Sequence, residues 1–394
     1  MAAAVADDEI GRVMSLFFTD GVLRLDGGVS DQAEREEDDD ESGCLEPFFY
    51  DEAQAVAEAA VAAEKRRLRE EERARVQEQR AKEEKARKAL FKRISKYDPK
   101  RGIFYFTRYS FGNPLTFDLN EESPLGPMRY TDKIFHEHEE IPFWECSSAN
   151  ILSVKIVSSD VGFPINVYGS VIARDSLDKK CIYLFRRHRN DCQLINSKDD
   201  PLILTGPNRG LVLIDDIDFE VDLRIKDDRL RQKKKELNRG TLRIDGILST
   251  CGIKMEVEND TLEGKLSTVE MKYAVVKQEA VEATVEIKVL EGCFHGEVSA
   301  CTTNIQDRFL LLDGRTCGAR AANHDIQLSR RVIAVHYKEK LLLTIVNQDD
   351  VVPSGCVTQT VGFTPNINGS EESEVTCGSV RMLVKVTWSL MLVR

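Results

Sequence analysis

From Ile151 onward the apolar residues recur at every second position, and no other feature of this chain restricts its fold as strongly. Phe219, Val221, Leu223 and Ile225 alternate with Glu220, Asp222, Arg224 and Lys226; Val281, Ala283, Val285, Ile287 and Val289 alternate with Glu282, Thr284, Glu286 and Lys288. A period of two puts one set of side chains on one face, so these stretches predict strands with one buried face. The pattern returns at Leu152–Val157, Ile165–Arg174, Val269–Val276 and Met382–Leu390, with Gly, Asn and Asp turns between the runs rather than helical stretches. Parallel strands need crossover helices. Without them the expected fold is mainly β, an antiparallel sandwich or barrel, in which the charged interval Lys226–Asn238 would divide two β subdomains.

Two different compositions precede this domain. Residues 1–50 carry 14 acids against 3 bases, a net of −11, and include the run Glu34–Glu41. Such a segment repels itself and has little apolar surface to bury, which predicts a disordered acidic arm. Its one aromatic cluster, Phe48, Phe49 and Tyr50, reads as a hydrophobic staple for the next helix or as an acidic-aromatic docking motif. Residues 51–96 are built of Ala, Glu, Lys, Arg and Gln without Pro or Gly, a strongly helix-forming mixture. Acid-before-base pairs at i,i+4 support one long helix: Glu71 with Arg75, Glu78 with Lys82, Glu83 with Arg87 and Glu84 with Lys88. Between Leu68 and Leu90 the only sizeable apolar residue is Val76, too few for a coiled-coil seam, so a charged spacer helix is favoured over an oligomerising coil. Residues 97–124 then mix Pro with aromatics, among them Phe104, Tyr105, Phe106, Tyr109 and Phe111, and predict extended chain lying along the β domain, residues 125–394.

Charge and composition also bound the function. Residues 97–394 hold 43 acids and 38 bases, and a net-acidic body disfavours a nucleic-acid partner. No apolar run reaches the roughly 20 residues of a membrane-spanning helix. Asp7, Asp8 and Glu9 stand where a secretory signal would be basic, so the expected compartment is cytoplasm or nucleus. Ten Cys without a C-x-x-C pair suggest neither a zinc ribbon nor a thioredoxin-like site.

The segments Gly126-Pro127-Met128-Arg129-Tyr130-Thr131, Asn150–Ile156, Val167-Tyr168-Gly169, Ile172–Asp175 and Phe219–Lys226, with Leu328–Val332 and Lys340-Leu341 further on, are similar to an uncharacterised domain family of grasses, domain of unknown function 6598. The resemblance covers roughly residues 125–392. Members resemble the C-terminal part of some jasmonate-induced cereal proteins whose N-terminal part is a ribosome-inactivating RNA N-glycosidase, which implies a link to stress or defence. The glycosidase does not carry over. Its E-A-x-R signature is absent: the Glu-Ala starts at Glu52, Glu58, Glu279 and Glu282 have Ala55, Val61, Glu282 and Val285 at the place of the Arg.

No residue is singled out here as catalytic, cofactor-binding or metal-ligating. The weighed candidates each have a simpler reading. His136, Glu137, His138, Glu139, Glu140 and Cys146 offer zinc ligands but read as a solvated acidic loop. Asp175, Asp178, Asp215, Asp216 and Asp218 would suit calcium at a sandwich end and equally suit turns. Cys293 and His295 would share a strand face; Thr205–Gly210 lacks the Lys-Ser/Thr of a phosphate loop; and Arg229, Arg231, Lys233, Lys234, Lys235 and Arg239 read as a charged connector or a nuclear address. The organisation points to a non-enzymatic module that binds a protein partner of unknown identity, without a cofactor. The alternatives are an enzyme whose site forms only in three dimensions and a calcium- or lipid-binding β-sandwich.

Overall fold

The computed structural model describes residues 52–98, 102–109, 113, 115–134, 146–226, 235–250, 257–314, 320–321, 325–348 and 355–392. By internal contact the chain divides into two units, residues 1–72 and 73–394. The acidic arm, the Phe48–Tyr50 cluster, His136–Glu140 and Arg229–Lys234 lie outside the described residues.

One long helix, α1 (Glu52–Ile94), forms where the composition demands it. Val56, Val61, Leu68 and Val76 are all exposed on it. Glu78 meets Lys82 at 2.8 Å and Glu84 meets Lys88 at 2.7 Å, as their spacing predicts. Glu71 instead turns back to Arg67 at 3.8 Å, and Glu83 accepts from Gln79 at 2.9 Å and from Asn113 at 3.0 Å. Only the last turn is buried, through Phe91 and Ile94. The Phe91 ring meets Phe106 edge-on at 5.3 Å, and the Thr107 N–H and Oγ1 both donate to the Ile94 carbonyl, satisfying an acceptor that a helix C-terminus leaves open.

The Pro/aromatic stretch opens with a hairpin, β1 (Ser95–Asp98) and β2 (Ile103–Phe106). Residues 147–276 then form a first sandwich. One sheet has the order β10 (Val257–Glu263), β11 (Ser267–Val276), β3 (Ser147–Ser159), β7 (Val212–Leu213). The other has β5 (Ile182–Arg187), β4 (Ile165–Arg174), β8 (Asp216–Ile225), β9 (Lys235–Asp245), with β6 (Gln193–Ile195) beside β4. Ile151, Val154, Ile156, Val269 and Met271 of one sheet meet Val167, Val171, Phe219, Val221 and Leu223 of the other in one core. At Gly169, φ is +126°, and a Cβ there would sit 2.0 Å from the Asp222 carbonyl oxygen, so the β4–β8 contact requires glycine.

A second sandwich spans residues 280–390. Its sheets are β17 (Val332–His336), β12 (Ala280–Glu291), β21 (Val380–Leu390), β20 (Ser370–Cys377), and β15 (Phe309–Leu312), β14 (Gly296–Thr302), β18 (Leu341–Gln348), β19 (Cys356–Phe363). A two-stranded ribbon of β13 (Cys293–Phe294) and β16 (Arg320–Ala321) accompanies them. Val281, Val285, Ile287, Trp388 and Val384 pack here against Val298, Leu343 and Ile345.

The predicted strands are therefore present and antiparallel, and neither sandwich closes into a barrel. The division between the subdomains falls elsewhere than expected. Strand β8 ends at Ile225 and β9 begins at Lys235 within the charged interval, and the two pair with each other, so both belong to the first sandwich. The change of sandwich comes at Lys277–Glu279, where Gln278 and Glu279 take φ of 54° and 41°. A run of charge reports a preference for water, which does not by itself mark a boundary between subdomains.

Candidate functional site

Strand β8 sets four carboxylates in a row, because Asp216, Asp218, Glu220 and Asp222 share its outward face. The alternation predicts that face to be solvated, yet Asp218 and Glu220 are buried. Arg108, Tyr109 and Leu119 supply part of the cover. Arg108 reaches Glu220 at 2.8 Å and donates to the Leu119 carbonyl at 2.6 Å, while the Tyr109 N–H adds a bond to Glu220 at 3.1 Å. From β4 the buried Arg174 grips the same carboxylate at 2.9 Å. Arg243 of β9 pairs with Asp218 at 2.7 Å and Asp216 at 3.1 Å. Burial raises the Asp218 pKa, and Arg243 and Lys179 offset part of that rise. Asp222 is held below the usual carboxylate range: burial opposes this, but the hydrogen bond from Arg224 and the charges of Arg224 and Arg239 outweigh it.

At the end of this ladder lies a cavity of about 380 Å³, between the β1–β2 hairpin, strand β9 and the β10–β11 turn. Lys96 pairs with Glu236 across it. Its floor is set by Gly240, since a Cβ there would meet Leu262 Cδ1 at 2.9 Å. The turn Glu263–Leu266 is held by Asn238, whose Nδ2 donates to the carbonyls of Leu262 at 3.0 Å and Ser267 at 2.9 Å. Burial, then Glu236 and Asp98, raise the Tyr105 pKa, so the phenol stays protonated near neutrality. At the mouth Tyr97 and Ile103 are 54% and 51% exposed. Arg239 and Lys265 place positive charge beside Asp98 and Glu263. The groove is thus amphipathic, with apolar walls and both signs of charge.

Among the described residues no group of three or more His, Cys, Asp or Glu could hold a metal ion. Asp175 and Asp178 face Arg209 instead of a cation site: Arg209 pairs with Asp175 through both terminal nitrogens and lies 3.6 Å from Asp178. Arg209 comes from the Thr205–Gly210 loop, so that loop works as a buried clasp. Cys293 and His295 are both exposed, and no hydrogen bond joins their side chains. Cys146 is buried, and burial pushes its thiol up to about 12, which leaves it inert as a nucleophile. Lys235 and Arg239 sit on β9, the latter lining the groove.

Sequence reasoning missed Glu282. It reads as an outward polar residue of β12, yet it is buried and accepts the N–H groups of Gly210 at 2.6 Å and Met128 at 2.7 Å, so it joins the Gly126–Thr131 segment to the Arg209 clasp. Burial raises its pKa from the ordinary 4.5, with the two N–H donors, Arg129 and Arg209 offsetting part of the rise. The folded chain then keeps this proton where the unfolded chain has lost it. This group's contribution to stability is best below about 4.5 and falls as pH rises through the folded value. Glu282→Gln, always neutral, is expected to gain stability relative to the parent as pH rises above that point. Denaturant titrations of both proteins across pH check it, and a difference that does not change with pH would refute it.

The family model described as Domain of unknown function (DUF6598) matches residues 148–386. The chain belongs to this family. The DUF6598 match runs from β3 into β21, so it takes in both sandwiches together. No curated protein matches the chain. Solved structures with some likeness to this DUF6598 protein include the calcium-bound C2A and C2B domains of extended-synaptotagmin 2, at 8% identity over 64% of this chain and 100% of that one, with a TM-score of 0.22. Another is human GIVD cytosolic phospholipase A2, at 10% identity over 63% of this chain and 33% of that one, with a TM-score of 0.19. Scores this low carry no argument about fold or function. Among the described residues no helix is long and apolar enough to cross a membrane.

Proposed function

We propose that this DUF6598 protein is a non-enzymatic protein-interaction module of the cytoplasm or nucleus, and that the groove between β1–β2, β9 and the β10–β11 turn takes a segment of its partner. The proposed organisation is an acidic arm (1–50), a charged spacer helix (51–96), a covering segment (97–124) and a binding domain (125–394). The observation that carries the reading is the pair Tyr97 and Ile103, more than half exposed at the mouth of a half-apolar groove. Large apolar side chains rimmed by polar groups are characteristic of protein-binding surfaces, and aromatic and Arg residues are enriched there. The partner segment fitting this lining carries one large apolar side chain flanked by charges of both signs, which would meet Arg239 and Lys265 on one side and Asp98 and Glu263 on the other. Free thiols at Cys146, Cys181, Cys192, Cys293 and Cys301 agree with a reducing compartment.

Random peptides displayed on phage and selected on the full chain should converge on that pattern. Tyr97→Ala with Ile103→Ser should weaken binding of the selected peptides about tenfold or more, as loss of central anchors does. Both side chains are exposed, so the melting temperature should hold. Failure of the selection to converge, or binding untouched by the double variant, would reject the groove.

A further inference from the structure

Strand β19 is the outer strand of its sheet, paired with β18 on one side only. An outer strand presents unpaired N–H and C=O groups, and proteins normally guard such edges with charge, brevity or cover. The other long edges here follow that rule: β10 carries Glu258, Asp260 and Glu263, β20 carries Glu371, Glu372 and Glu374, and β5 ends in Arg186 and Arg187. Strand β17 is seated against Asn150 of the first sandwich, and β15 has four residues. Strand β19 has eight residues, Cys-Val-Thr-Gln-Thr-Val-Gly-Phe, without a charge or a proline. Among the described residues, no backbone–backbone hydrogen bond outside the strand ladders falls on Val357–Phe363, and of its carbonyls that of Val357 accepts from Cys377 Sγ at 3.2 Å.

Its centre reads the same in both directions: Val357, Thr358, Gln359, Thr360, Val361. An antiparallel pair of identical strands related by a two-fold axis matches residue i with residue j and j with i. Centred on Gln359, such a pair sets Val357 against Val361 of the second copy, Thr358 against Thr360, and Gln359 against itself. Odd positions meet odd positions, so each side chain stays on its own face of the continued sheet. Val357 and Val361 already pack half-buried on the core of the second sandwich, and the pairing would extend that apolar face across the junction. Opposed β-branched residues are favourable cross-strand neighbours.

We propose that the protein forms a two-fold dimer through β19, joining the β15-β14-β18-β19 sheets of two copies edge to edge with Gln359 on the axis. This surface lies on the second sandwich and is separate from the groove of the first, so the two proposals stand or fall apart.

Because residue 359 faces its own copy, charge there gives a decisive test. Sedimentation equilibrium of the full chain should show a monomer–dimer equilibrium in the micromolar range. Gln359→Lys and Gln359→Glu each place like charges in contact and should each weaken the dimer about tenfold or more. An equimolar mixture of the two should dimerise again. Gln359 is exposed, so both variants should melt like the parent. As a measurement free of variants, amide exchange at Val357–Val361 in the parent should slow as concentration rises. A parent that stays monomeric, a Gln359→Lys chain that dimerises like the parent, a mixture that does not recover, or exchange at Val357–Val361 indifferent to concentration would overturn the proposal. An association carried by α1 would show itself as the second of these.

Discussion

Asp175→Ala is expected to lower the unfolding free energy of the full chain by about 3–5 kcal/mol, the usual cost of removing one member of a buried ion pair. Asp175 and Arg209 are both fully buried. The carboxylate accepts both terminal nitrogens of the guanidinium, one at 3.0 Å, and also the Val212 N–H at 2.9 Å. Truncation would leave a buried cation whose Nε already lacks a hydrogen-bond partner, held only by the Gly210 carbonyl at 3.1 Å, Ser123 Oγ at 3.4 Å and Asp178 at 3.6 Å. Asp178 is the nearest substitute, so the loss should sit toward the lower end of that range. Charge left without its counter-ion is the cause assigned here, and it makes a second expectation: Asp175→Ala combined with Arg209→Met should be more stable than Asp175→Ala alone. Urea titrations of the two variants and the parent decide it. Equal losses in the single and double variants would mean that packing, rather than the stranded guanidinium, sets the cost.

That pair shows what sequence reading can and cannot reach. The strands at Ile165–Arg174 and Val281–Val289 and the long helix were legible because periodicity and composition are local properties, and the structure places strands over both segments and α1 at Glu52–Ile94. Periodicity reports which side chains share a face. It does not report what lies over that face. Glu220 and Glu282 look like solvated positions of alternating strands, and each is buried by a segment more than seventy residues away in the chain, Arg108 and Tyr109 over one, Met128 and Gly210 over the other. The carboxylates Asp175 and Asp178 could be read as ligands because their counter-ion, Arg209, stands in a loop that resembles an ordinary turn. The groove was equally hidden, since it joins Pro/aromatic sequence near residue 100 to a turn near residue 264. The signal available was indirect: so many aromatics between Phe104 and Tyr109 needed a surface to lie on, and that surface supplies one wall of the groove.

Arg330→Ala together with Asn150→Ala is expected to split the thermal unfolding of the protein into two steps. Each sandwich has its own core; the apolar contact between them comes from the small cluster of Cys146, Val212, Val276, Ala280, Ala334 and Met391 and from Leu152 and Ala274 of the first sandwich, which pack into the second core. Directional bonds therefore carry much of the coupling. Asn150 of β3 uses its amide as a strand would, donating to the Ala334 carbonyl at 2.7 Å and accepting the Ala334 N–H at 2.9 Å. Arg330 reaches from the second sandwich to the Ile151 carbonyl at 2.5 Å and the Leu152 carbonyl at 3.1 Å, while its Nε donates to Leu310 at 2.8 Å and its plane lies 4.0 Å from the Phe309 ring. Burial lowers its pKa to about 9, still above neutrality, so the guanidinium is charged and these bonds are charge-assisted. Each buried partner left unsatisfied costs about 1–3 kcal/mol, and the double variant strands groups on both sides of the junction. The bonds to Ile151, Leu152 and Ala334 couple the sandwiches, and only the Arg330 contacts with Leu310 and Phe309 are lost from within the second one. Calorimetry of the parent should give one transition, because neither sandwich can unfold without exposing the junction, whereas the double variant should show two. A single transition shifted to lower temperature would mean that the covering segments, through Arg129 on the Met391 carbonyl and Glu282 on Met128 and Gly210, are sufficient to keep the two cores unfolding together.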